Sequence, residues 1–137
     1  MDETFKQDVL AAWRQIPEDV RSPAAIESQL QDFEVEFGPI PENFRWYLLE
    51  CGGGPGGTEW MDSITQLAET HRRFRTELAA GYWAGMTEVF VLGHDGCGNP
   101  YGIHRCTGKL LVEDHDFGGV HELASSFADY LRQGLRL

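Results

Sequence analysis

The sequence has few basic residues, few cysteines and no long hydrophobic run, and each of these features excludes a class of protein. It contains 11 lysines and arginines against 22 acidic residues, a net charge of −11. A surface of that sign repels nucleic acid and anionic membranes, so we expect neither as a direct partner. No apolar segment approaches the length of a membrane span. The first residues are acidic and amphipathic, unlike a signal peptide, and predict a cytoplasmic protein.

Three cysteines are an odd number and indicate reduced thiols rather than a disulfide framework. What the sequence does contain is typical of one globular domain over residues 1–137, with 42% hydrophobic and 12% aromatic residues. A chain of this length buries enough apolar surface to fold without a metal. Half of the acidic residues lie in residues 1–51, and acidity alone indicates no more than solubility.

Apolar residues at helical spacing predict five helices, at residues 5–16, 26–37, 40–51, 64–78 and 123–135. We expect Ser22 to cap the second helix and Gly38 to end it. His71 lies on the apolar face of the fourth helix, where we expect a packed side chain rather than a ligand.

Between residues 88 and 115 the pattern changes to that of short strands. The segments EVFVLG, PYGIHR and KLLVED are separated by the turn sequences DGCGN and CTGK. They predict an antiparallel meander of three strands. Helices before and after a meander indicate an α+β domain, with a central, mainly antiparallel sheet packed by N-terminal helices and a C-terminal helix.

The glycine-rich segment CGGGPGG matches the G-x-G-x-x-G spacing of a dinucleotide-binding loop at Gly52, Gly54 and Gly57. A nucleotide-binding loop, however, follows a strand and opens a helix, whereas this segment follows a helix. Gly52 is therefore predicted to be a left-handed C-cap, next to carbonyl groups that repel anions.

Histidine and cysteine are concentrated in the segment HDGCGNPYGIHRC, with His115 and Asp116 beyond it. The residue types are ones that bind zinc, and in a hairpin His94 and His104 are able to approach each other across the strands. The spacing matches no strong zinc motif, and no G-x-S-x-G elbow is present. A metal-dependent enzyme remains the alternative hypothesis, with the ligands His94, Cys97, His104 and Cys106.

Four stretches in a fixed order resemble the SUKH superfamily, also called the SMI/KNR-like immunity domain: GPIPENFRWYLLECGGG, EVFVLGHDGCGNPYGIH, KLLVEDHD and ASSFADYL. The resemblance covers roughly residues 22–133 and departs from the family at Cys51-Gly52-Gly53, where Asn-Gly-Gly is common. It implies an α+β domain that binds and neutralises a toxin delivered between competing bacteria, often a nuclease. It brings no catalytic residue, cofactor or metal, so no enzyme is expected; a regulatory scaffold of the same fold is a further alternative.

An acidic protein would be steered electrostatically toward a basic toxin domain. The tight interface would need an aromatic anchor rimmed by carboxylates. Glu59 and Trp60 follow the glycine loop, and the other candidates lie in the first turn and on the predicted third strand. The candidate partner-binding residues are Glu59, Trp60, Asp95, Glu113, Asp114 and Asp116. The acidic residues of the first third form a competing surface that includes Asp32, Glu34 and Glu36.

Overall fold

The structure is a computed structural model that describes residues 1–137, and it places five α-helices around one antiparallel sheet. The helices are α1 (Glu3–Arg14), α2 (Glu27–Phe37), α3 (Glu42–Cys51), α4 (Ile64–Ala79) and α5 (Phe127–Leu135). Short 3₁₀ turns lie at Glu18–Val20 and Ala84–Met86. None of the helices combines the length and the apolar composition that crossing a membrane requires.

The sheet is a four-stranded meander in which each strand pairs with the next along the chain. Its strands are β1 (Val89–His94), β2 (Pro100–His104), β3 (Leu110–Glu113) and β4 (Val120–Ala124), in the order β1-β2-β3-β4. All three pairs are antiparallel. Successive hairpin turns therefore alternate between the two ends of the sheet, so that the β1–β2 and β3–β4 turns share one end. The α+β class predicted from the sequence is confirmed.

Strand β4 is absent from the sequence prediction, which extends the closing helix back to Leu123. Val120 pairs with Glu113 and Ala124 pairs with Leu110, so these residues complete the sheet. Helix α5 begins only after Ser126, whose hydroxyl accepts a hydrogen bond from the Asp129 N–H at 3.1 Å. The helical spacing of the apolar residues continues back from α5 through β4. Only the pairing with β3 shows that β4 is a strand and not part of the helix.

The start of α2 also differs from the prediction. Ser22 does not cap this helix; Ile26 occupies the N-cap position, and its N–H donates to Gln29 Oε1 at 3.0 Å. Ser22 instead lies against the glycine loop at Gly54. The predicted end of α2 is confirmed, because Gly38 is its C-cap, with φ of 85°.

The two faces of the sheet bury cores of different size. The core on the larger side draws residues from all five helices, and its aromatic centre includes Phe44, Phe90, Tyr101, Phe127 and Tyr130. The opposite face carries a smaller cluster of Phe74, Met86, Val89 and Val91. Each of these large side chains contributes roughly 1.5–3 kcal/mol by leaving water. The 3₁₀ turn at Ala84–Met86 supplies Met86 and so covers the second face near β3.

The glycine loop after α3 ends that helix and forms a packing surface for another. Gly52 is a left-handed C-cap with φ of 78°, as predicted, and its N–H bonds to the carbonyls of Tyr47 and Leu48. A Cβ at Gly134 of α5 would lie 2.4 Å from the carbonyl carbon of Gly57. The loop and α5 therefore meet backbone to backbone, a separation that side chains would prevent.

Candidate partner-binding surface

Four of the six candidate residues lie at the end of the sheet that the β1–β2 and β3–β4 turns share. Asp95 begins the first of these turns, and Glu113 ends β3. Asp114 and Asp116 lie in the β3–β4 turn rather than on the third strand, so their predicted placement on that strand is wrong. We call this surface the acidic end and define it by Asp95, Glu113, Asp114 and Asp116.

Asn99 joins the two turns of the acidic end. Its side chain is only 2% exposed, and its Nδ2 donates to Asp95 Oδ2 at 3.0 Å. Its Oδ1 accepts from the His115 N–H at 2.9 Å and also from the Nδ1 of the His115 ring. A buried amide with these partners holds both turns in one arrangement. No spacing in the sequence connects Asn99 with His115, so sequence reasoning missed this residue.

Asp95 stabilises the β1–β2 turn with its own carboxylate. Its Oδ1 accepts hydrogen bonds from the N–H groups of Cys97 and Asn99, both at 2.9 Å. Burial raises the pKa of Asp95, but the hydrogen bonds from Asn99 and Cys97 outweigh it and hold the pKa below its ordinary value. The carboxylate therefore stays charged at neutral pH.

Asp114 has the same role in the β3–β4 turn. Its Oδ1 accepts from the N–H of Phe117 at 3.0 Å and from that of Asp116 at 2.8 Å. These two hydrogen bonds lower the pKa of Asp114, because they favour the charged carboxylate. Both turns thus hold a fixed negative charge.

Few positive charges accompany these carboxylates. Residues 76–104 and 110–131, which supply the acidic end, contain no lysine or arginine. His115 Nε2 lies 3.2 Å from Asp116 Oδ1, and Glu113 Oε1 accepts from the Gly85 N–H at 2.9 Å. Because no lysine or arginine of these segments compensates the carboxylates, the surface presents negative charge to an approaching protein.

The competing acidic surface in the first third of the chain is partly neutralised. Glu34 pairs with Arg45 at 2.9 Å, and this guanidinium lowers the pKa of the Glu34 carboxyl. Glu36 pairs with Arg72 at 2.8 Å. Asp32 is exposed on α2. The ion pairs leave this surface with less uncompensated charge than the acidic end.

Glu59 and Trp60 lie beside the outer edge of β1, apart from the β3–β4 turn. The Tyr130 hydroxyl accepts from the Glu59 N–H at 2.9 Å, and the Tyr101 hydroxyl donates to the Trp60 carbonyl at 2.7 Å. The Trp60 side chain, 46% exposed, lies against Gly54 of the glycine loop. Partner binding by Glu59 and Trp60 stays a prediction.

Other aromatic side chains lie beside the acidic end. Phe117 is 91% exposed in the β3–β4 turn, and Tyr82 is 64% exposed. The Trp83 ring meets the His115 ring edge to face, with centroids 6.3 Å apart, and its Nε1 donates to Glu77 Oε2 at 2.8 Å. Sequence reasoning missed these residues because a single aromatic residue in a turn carries no periodicity that reveals its exposure.

The side chains of the alternative metal site are separated by the register of the first hairpin. His94 pairs with Pro100 next to the turn, whereas His104 pairs with Val89 at the far end of the same ladder. His94 and His104 therefore do not approach each other across the strands, although a hairpin would allow it. The ring Nδ1 of His104 accepts from the Cys106 N–H at 3.2 Å, within its own turn. No three His, Cys, Asp or Glu side chains are grouped so as to hold a metal ion.

One family of known proteins matches most of the residues that form this fold. The model of the SMI1 / KNR4 family (SUKH-1) matches residues 24–133. The matched range contains α2, α3, α4 and the whole sheet, and it includes every candidate residue of the acidic end. No curated protein matches the chain significantly.

Proposed function

The chain belongs to the SMI1/KNR4 family (SUKH-1), and from that premise we propose that it is a bacterial immunity protein that binds a cognate toxin and blocks its activity. The family predicted from the four sequence stretches is confirmed. Membership is consistent with an immunity protein and indicates that the chain acts on a partner protein by binding. The specific toxin and its neutralisation are our proposal.

The observation that supports a basic partner is the acidic end itself. Its carboxylates lie in turns fixed by hydrogen bonds, and the segments that supply it lack lysine and arginine. A nuclease toxin must hold phosphates with basic side chains, so its active-site surface is complementary in charge. Electrostatic steering would speed association, and the bound protein would cover the catalytic cleft or a neighbouring surface.

Within this proposal Asp95, Glu113, Asp114 and Asp116 contact the toxin. Glu59 and Trp60 form a second candidate patch at the outer edge of β1. A metal-dependent enzyme gains no support from the separated positions of His94 and His104.

We also propose that residues 1–137 act as one domain, although the family match begins only at residue 24. Helix α1 buries Phe5 and Val9 in the larger core. The Arg132 guanidinium of α5 lies over the Phe5 ring at 4.4 Å. These contacts support the inclusion of α1 in the folded unit.

The test is a calorimetric titration against the C-terminal domain of the large protein encoded beside this one, with toxin activity assayed in parallel. The expected result is tight binding that weakens with salt and abolishes activity. The variant Asp116→Lys is expected to weaken binding about tenfold or more, since a charge reversal leaves an unfavourable contact with a basic partner.

The matched control is Asp32→Lys, which makes the same charge change at an exposed position of α2. We expect this control to bind the toxin with an affinity within about twofold of that of the unchanged protein. If net charge alone mattered, both variants would bind equally weakly. Absence of binding by the unchanged protein would refute the proposed function. Binding that leaves the toxin active would favour a regulatory scaffold of the same fold.

A further inference from the structure

We propose that Phe117 is the aromatic anchor of the toxin contact and inserts into an apolar pocket of the toxin that is rimmed by lysine or arginine. This inference rests on the proposed function and adds to it the side chain that holds the complex together. Neither Phe117 nor any other apolar residue of the β3–β4 turn is among the candidates drawn from the sequence.

Phe117 has no role in the core of its own protein. Its side chain is 91% exposed, the highest fraction among the exposed large hydrophobic residues. Single exposed apolar residues are common on protein surfaces, so exposure alone does not indicate binding. The backbone beneath this side chain and the charges around it distinguish Phe117 from an ordinary exposed residue.

The turn holds Phe117 in place before any partner arrives. Asp114 Oδ1 accepts from the Phe117 N–H at 3.0 Å, and the Asp114 carbonyl accepts from the Gly118 N–H at 2.9 Å. The Asp114 N–H in turn donates to the Gly119 carbonyl at 3.1 Å. Gly118 and Gly119 have φ of 76° and 84°, left-handed values that favour glycine. A pre-organised backbone loses little conformational entropy when its side chain binds.

The turn is also fixed to the rest of the protein. Asn99 accepts from the backbone N–H of His115, two residues before Phe117, and Asn99 is itself buried. The His115 ring also meets the Trp83 ring edge to face. Phe117 therefore projects from a supported turn rather than from a free loop.

The surroundings of Phe117 match the arrangement of a protein interface with a basic partner. Asp114 and Asp116 flank it in the turn, and Val120, which is 39% exposed and pairs with Glu113, begins the strand that follows. An apolar centre with a charged rim is how interfaces concentrate binding energy while excluding water. The complementary surface is an apolar pocket with a rim of positive charge.

A second copy of this chain does not fit that description. Two copies meeting through Phe117 would bring two acidic ends together, and like charges placed opposite each other oppose association. The occupant that the charge pattern favours is therefore the basic toxin domain.

The experiment compares Phe117→Ala with Val35→Ala in calorimetric titrations against the toxin domain encoded beside this protein. Val35 is an exposed apolar residue of α2, 88% exposed, whose neighbours Glu34 and Glu36 are already paired with arginines. Phe117→Ala is expected to weaken binding about 10- to 100-fold, as loss of an interface anchor does. Val35→Ala is expected to change it by less than about twofold.

Thermal unfolding of both variants tests whether they remain folded. Because each substitution removes an exposed side chain, the midpoint temperature of unfolding should not change. If the unchanged protein binds and Phe117→Ala binds equally well, the anchor is refuted while the proposed function stands. If the unchanged protein does not bind, both are refuted. If light scattering shows a dimer that Phe117→Ala dissociates, the occupant is a second copy and the toxin contact is refuted.

Discussion

At the scale of single residues, His71 shows how the core uses a polar side chain. The sequence predicts a packed side chain, and the structure confirms that His71 is buried. Its Nε2 donates to the Val91 carbonyl at 2.8 Å, and its ring packs against those of Phe33, Phe37 and Phe90. Burial lowers the pKa of His71 to about 4, although the hydrogen bond to Val91 opposes the shift.

This pKa predicts that the free energy of unfolding falls in mild acid. Between pH about 6.5 and about 4 the unfolded chain binds a proton at this histidine that the folded chain does not. The contribution of His71 to the free energy of unfolding is therefore complete above pH about 6.5. It decreases as the pH falls toward 4, by up to about 3 kcal/mol. Urea unfolding at pH 7.5 and pH 5 measures the difference.

The control is His71→Gln, which keeps a donor for Val91 but does not titrate. The variant should be less sensitive to pH over this range than the unchanged protein. An equal loss of stability in both proteins would show that other groups cause the effect.

At the scale of elements, the contact between α5 and the glycine loop overrides helix propensity. Gly134 lies in the last turn of α5, although alanine has a higher helix propensity than glycine, by up to about 1 kcal/mol. A Cβ there would lie 2.4 to 2.5 Å from three backbone atoms of Gly57, which cannot move without displacing the loop. The position needs glycine because of its neighbour rather than because of its own helix.

Gly134→Ala is therefore expected to destabilise the protein by about 1–3 kcal/mol, the usual range for overpacking. Thermal or urea unfolding gives the measurement. Gly96→Ala is the matched control, because a Cβ at Gly96 would meet no atom within 4 Å. A Gly134→Ala protein that is as stable as the original would show that helix and loop separate at little cost.

At the scale of the whole molecule, the net charge of −11 is unevenly compensated. Arg45 bridges Glu27 and Glu34, joining α2 to α3, and Arg72 joins α4 to Glu36 of α2. The helical side of the protein thus uses several carboxylates in contacts between elements. At the acidic end, by contrast, the carboxylates bind backbone N–H groups of the turns or face solvent.

This distribution predicts that salt acts mainly on the rate at which the protein associates with a basic toxin. Raising the salt concentration from about 0.05 M to about 0.5 M should slow association about tenfold or more and change dissociation little, because screening weakens long-range attraction. Surface plasmon resonance separates the two rates. Asp116→Lys should show a weaker salt dependence than Asp32→Lys, and a salt-independent association rate would contradict the steering argument.

Elements whose signals are local can be predicted from the amino-acid sequence alone. The apolar faces of the first four helices, the first three strands of the meander and the left-handed Gly52 all follow from periodicity and turn chemistry within about a dozen residues. The order of these elements and the family motifs were sufficient to establish the α+β class. The acidity that suggests a basic partner is likewise a property of composition.

Features that depend on contacts between residues distant in the chain are set only when the chain folds. Strand β4 exists because Val120–Ala124 pair with β3, although their apolar spacing also suits a helix. His94 and His104 are kept apart by strand register, and the two acidic turns are joined by Asn99. Hydrogen bonds and burial of this kind form only when the sheet assembles, so no local pattern encodes them.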